Sequence, residues 1–102
     1  MNVLNLVKTE NRKDKDGRTW FAVDPAIAYP AMIKFFILAK EDEQTAEEIP
    51  AQYRRQVLAL GDGSPRSVVL NLARLVLTEM LHQAIEQKPM GVHILKNPEW
   101  KL

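Results

Sequence analysis

The chain has 102 residues, 46% of them apolar and 26% charged, with a net charge of +1. This is enough apolar material for one globular domain spanning residues 1–102, and it sets up no global field to draw in nucleic acid or anionic lipid. Cysteine is absent, which excludes disulfides, thiolate nucleophiles and cysteine-ligated zinc or iron–sulfur sites, and fits a reducing cytoplasm.

No run approaches the roughly 20 apolar residues of a membrane span. The start MNVLNLVKTE lacks the basic segment and small-residue cleavage site of a signal peptide. A cytoplasmic protein is the expectation. Charge is spread unevenly, with a balance of +3 over residues 1–40, −4 over 41–62 and +2 over 63–102. The acidic middle, Glu41, Asp42, Glu43, Glu47 and Glu48, is the sharpest local feature. Most such runs are solvated faces; here it is also the first candidate for a partner surface.

In chain order, Val3 to Thr9 and Thr19 to Val23 alternate as two strands of a hairpin. Asn11 to Arg18 connect them, with Asp16-Gly17 as a strong turn pair. Asp24-Pro25 ends the second strand and is able to open a helical turn, which Pro30 would break early. In the apolar run AMIKFFILAK, periodicity does not choose between strand and helix; the unbroken AKEDEQTAEE after it favours a helix opening near Pro30.

Thr45-Ala46-Glu47-Glu48 matches a capping box, but Pro50 lies too deep for a helix begun there, so the next helix starts at Pro50. It carries Tyr53, Val57 and Leu60 on one stripe, turns Arg54 and Arg55 outward, and ends at Gly61 as a C′ glycine.

Ser64 then caps, and Pro65 opens, a long helix over about 65–87 with no internal Gly or Pro. Val69, Ala73, Val76, Leu77, Met80, Leu81 and Ala84 share one face, while Val68, Leu70, Leu72, Leu75 and Ile85 spread apolar character beyond it. Such a helix needs cover on most sides, as the centre of the fold or as half of a dimer core formed by Val69, Leu72, Ala73, Val76, Leu77, Met80 and Leu81. Lys88-Pro89 stops it, and Gly91 to Leu95 reads as a closing strand before Asn97-Pro98. The order is that of an α+β fold: an N-terminal hairpin and a C-terminal strand packed on two or three helices, the long one central.

No catalytic set emerges. The two histidines, His82 and His93, lack further ligands, and Glu79-x-x-His82 reads as a surface pair rather than half a carboxylate metal site. Ser64 and Ser67 are not in a nucleophile elbow. Gly61-Asp62-Gly63-Ser64-Pro65 lacks the lysine and glycine spacing of a phosphate loop, and Asp62 would repel a phosphate. Glu41, Asp42 and Glu43 lack the alternating ligands and central glycine of a calcium loop. The expectation is a protein without catalytic residues, metal or cofactor.

Residues 49–81, with their Pro-opened helix, Leu60-Gly61-Asp62-Gly63-Ser64 turn and second amphipathic helix, resemble the helix–turn–helix half of ribbon-helix-helix proteins. The resemblance implies two chains interlocked through these helices and a preceding strand that enters the DNA major groove. In place of that strand this chain has Glu43-Gln44-Thr45-Ala46-Glu47-Glu48, whose carboxylates would face phosphate. The expectation is therefore a small, non-enzymatic binding or regulatory protein acting through protein–protein contacts as a homodimer. The alternative is a nucleic-acid-binding regulator of ribbon-helix-helix type, touching phosphate through Arg12, Lys13, Lys15 and Arg18 or through Arg54, Arg55 and Arg66.

Overall fold

The structure, a computed structural model, describes residues 7, 9–13, 15–84 and 92–94. Helix dominates, with a minor β component: β1 (Thr9–Lys13), β2 (Thr19–Val23), α1 (Pro25–Glu41), α2 (Glu43–Glu47), α3 (Ala51–Leu58), α4 (Arg66–Ala84) and β3 (Val92–Ile94). Among the described residues no helix is long and apolar enough to cross a membrane.

β1 and β2 are antiparallel, in register from Thr9 opposite Val23 to Lys13 opposite Thr19. β3 runs parallel to β2, with Phe21 against Val92 and Val23 against Ile94. The hairpin therefore extends further than its charge suggests, because Asn11 to Lys13 are strand rather than loop. The reversal is confined to the residues around Asp16 and Gly17, and Gly17 takes φ +79, a conformation suited to glycine. The expected strand Val3 to Thr9 lies outside the described residues except at Val7 and Thr9, as do the helix stop at Lys88-Pro89 and the tail beyond Ile94.

α1 opens earlier than expected. The Asp24 carboxylate accepts the Ala26 N–H at 2.9 Å, Pro25 takes the first helical position, and the Asp24 carbonyl accepts from Ile27 and Ala28. Pro30 lies inside the helix without ending it. An interior proline costs about 3 kcal/mol; here its ring is exposed, and burial of Pro25, Ala28, Met32, Phe35, Phe36 and Ala39 along one side of the helix outweighs that cost.

A second correction concerns the centre of the fold. α1, not the long helix, contacts each of the other three helices, and α4 packs chiefly on α1 and α3 rather than on the hairpin. The core joins Met32, Phe35 and Phe36 of α1 to Ile49, Val57, Leu72, Ala73, Val76, Leu77 and Leu81, with Val23 as the sheet's share and Val7, ahead of β1, beside it.

The turn into α4 also differs from expectation. Ser64 does not cap the helix: its Oγ accepts the Gly61 N–H at 2.9 Å, while its own N–H donates to the Gly61 carbonyl. The Pro65 carbonyl accepts from Val68 and Val69, which puts Pro65 at the cap and Arg66 first in the helix. α3 closes at Ala59, and Gly61 has no positive φ, so it is not a left-handed C′ glycine.

Replacing the fully buried Phe35 by alanine is expected to cost about 3–5 kcal/mol in urea unfolding, whereas Val68→Ala at a half-exposed site should cost under about 1 kcal/mol.

Candidate functional site

The acidic residues gather at the joint between α1 and α3. Glu41 ends α1, Asp42 is the joint, Glu43 and Glu47 lie on α2, and Glu48 caps it; all five are exposed. Asp42 has a structural task. The Thr45 hydroxyl donates to its Oδ2 at 2.7 Å. That bond, aided by the Gln44 and Thr45 backbone N–H groups, holds the Asp42 carboxyl below its usual range against a smaller opposing effect of desolvation. Thr45 is thus not an N-cap but the third residue of a helix capped at Asp42, with its side chain buried.

The basic residues separate into groups with different roles. Arg12, Lys13, Lys15 and Arg18 are brought together, exposed, at the hairpin end. Arg55 and Arg66 are exposed on α3 and at the start of α4. Arg54 does not face outward as expected. Its Nε donates to the Ala46 carbonyl, and its Nη2 donates to the Glu47 and Ile49 carbonyls, each at 3.0 Å. These carbonyls lie at and just beyond the end of α2, where helical N–H donors run out, so the guanidinium closes the corner and is not placed to grip phosphate. On α4, Arg74 donates to Asn71 Oδ1 at 2.9 Å. Burial pushes the Tyr29 phenol up, and the Arg74 charge offsets part of that rise.

The residues expected to form a dimer core fall mostly inside the chain. Leu72, Ala73, Val76, Leu77 and Leu81 are buried in its own core, Met80 packs against them, and Val69 is half-buried. α1 and α3 already cover most of that stripe, leaving Val69 and Leu72 at its edge. The apolar surface that remains is elsewhere. A hollow of about 280 Å³ between α3 and α4 is lined by Gln56, Leu60, Val68, Asn71, Leu72 and Leu75. A second, of about 190 Å³, is lined by Ile33, Phe36, Ile37 and Lys40 of α1, by Leu60, Gly61 and Asp62 of the turn, and by Val69. Leu60 lines both, so the two hollows adjoin on either side of its side chain and together make an apolar cleft region around it. Ile37, 55% exposed, and Val68, 48% exposed, are the most exposed large apolar side chains among the described residues, and both line it. Sequence reasoning missed this cleft. Its one trace was apolar character on more than one side of each helix, at Ile33 and Ile37 and at Val68 and Leu75.

Among the described residues, no group of three or more acidic or histidine side chains is placed to hold a metal ion. Glu79 accepts from Gln83 Nε2 at 3.1 Å, and His82 Nε2 is buried without a hydrogen-bond partner. The His93 side chain lies outside what the structure describes. The stretch before Ile49-Pro50, where the ribbon-helix-helix resemblance calls for a strand, is helical over Glu43–Glu47. No family model, curated protein or solved structure matches this chain.

Arg54→Ala removes three hydrogen bonds from one guanidinium and is expected to lower unfolding stability by on the order of 2 kcal/mol, with Arg54→Lys recovering less than half because an ammonium lacks the planar fork. Urea titration of both variants checks this.

Proposed function

We propose that the chain is a small, non-enzymatic binding or regulatory protein that works through protein–protein contacts at the cleft around Leu60. One observation carries the reading: Ile37 and Val68, the two most exposed large apolar side chains described, line hollows that meet at Leu60. Scattered exposed apolar residues are ordinary, but a concave cluster of them is what partner surfaces present. Each hollow is of a size to take one or two inserted side chains of a partner.

The acidic ridge supplies a charged flank. Glu41 lies one turn beyond Ile37 on α1, so an apolar anchor and a carboxylate share one face. Glu43, Glu47 and Glu48 continue the ridge and would act mainly on partner choice and association rate. In this reading the α+β frame, with hairpin and C-terminal strand packed on the helices, holds the cleft, and the cysteine-free composition favours the cytoplasm.

Photo-crosslinking tests it. A benzophenone amino acid at position 37 or 68, introduced in the cell of origin, is expected to give a discrete protein adduct, while one at the exposed Lys13 gives none. No adduct from either cleft position would overturn the reading.

A second reading, nucleic-acid binding at the hairpin end, is supported by the gathering of Arg12, Lys13, Lys15 and Arg18 there. It requires a gel shift at low salt that fades as salt rises and is lost when Lys13 and Lys15 become glutamate. The cleft reading expects no shift at all.

A further inference from the structure

We propose that the cleft around Leu60 docks a second copy of this chain, in a two-fold contact that sets Lys40 of each copy against Asp62 of the other. This rests on the cleft being the working surface and goes beyond it by fixing the occupant and the geometry.

The argument starts from charge. Among the residues lining the two hollows only Lys40 and Asp62 are charged, Lys40 on the α1 wall and Asp62 on the turn wall; the other polar liners, Gln56 and Asn71, are neutral. A two-fold contact always returns a surface to itself, so a residue that meets a second one across the axis is met by it in turn. A surface with one cation and one anion on separate walls is complementary to its own rotated image. Two opposite-charge pairs then form among the lining residues, with the acidic ridge left at the rim.

Shape supports the same occupant. Ile37 and Val68 project from a surface that also offers two hollows of side-chain size, so each copy carries both the knobs and the holes. Of the long helix's stripe only Val69 and Leu72, at the edge of the hollows, take part. The contact is made by what α1, the turn and α4 leave uncovered.

Sedimentation equilibrium of the full chain, from low to high micromolar concentration, is expected to show reversible dimerisation. Ile37→Glu should weaken the dimer on the order of thirtyfold, as loss of a central apolar anchor does. Lys40→Glu and Asp62→Lys should each weaken it roughly tenfold, since each replaces two opposite-charge pairs with two like-charge ones. The double variant Lys40→Glu/Asp62→Lys should return to within about threefold of the original. All three side chains are exposed, so far-UV circular dichroism should be unchanged; if Ile37→Glu loses helix, Ile37→Ser takes its place.

A chain that stays monomeric, a dimer that Ile37→Glu leaves intact, or a double variant no better than the single ones overturns the proposal. Crosslinking separates this failure from that of the broader reading. Cleft adducts of another mass with a monomeric chain refute only the second copy, while a monomer with no cleft adduct refutes both.

Discussion

Helix α1 cannot stand in water alone. Over its 17 residues the charged side chains are Lys34, Lys40 and Glu41, and Met32, Phe35 and Phe36 lie in its middle. The rest of the fold is an answer to covering it. α4 lays Leu72, Ala73, Val76, Leu77 and Leu81 into the common core, and the corner that follows α1 adds Ile49 and Val57. α1 is nonetheless apolar over more than one face, and Ile33 and Ile37 lie off the buried side. That remainder forms one wall of the cleft. The candidate binding surface is thus a direct product of how α1 is packed rather than a separate addition to the fold.

The corner between α1 and α3 shows how polar groups make such packing possible. α2 is a helix of five residues, too short to persist on its own. Below it Thr45, Ala46, Ile49 and Pro50 are buried, so the backbone there must find partners away from water. Arg54 supplies them from the next helix. The arrangement fixes one cation at the end of α2, beside the acidic ridge, where its charge offsets part of the field of the carboxylates.

Legibility in the sequence followed the range of the forces involved. β2, ended by Asp24-Pro25, and the start of the third helix beside Pro50 were readable because alternation and proline act within a few residues. Pro30 misled because its local cost is real, yet burial of Phe35 and Met32, which no local rule weighs, overrides it. The stripe on α4 was readable as apolar, but whether its cover came from α1 or from a second chain depended on tertiary packing. Arg54 looked like any helical arginine, since the carbonyls it serves exist as a group only once α2 has formed. The cleft was the least legible part. Ile37 and Val68 are 31 positions apart in sequence, and only the packing of α4 on α1 puts them on one surface.

Asp42 joins two helices without an intervening residue. Its N–H closes α1 on the Leu38 carbonyl, and its own carbonyl accepts the Ala46 N–H to begin α2. The joint therefore has no slack, and the rotational phase of α2 is set by the phase in which α1 ends. Each residue added to a helix turns everything beyond it by about 100°. One extra residue before Asp42 would swing Thr45 and Ala46 out of the core and bring glutamates toward Phe35 and Phe36. At this point in the chain the number of residues matters more than their chemistry: side-chain substitutions change how firmly the corner holds, while an insertion or deletion changes which face of the protein is acidic.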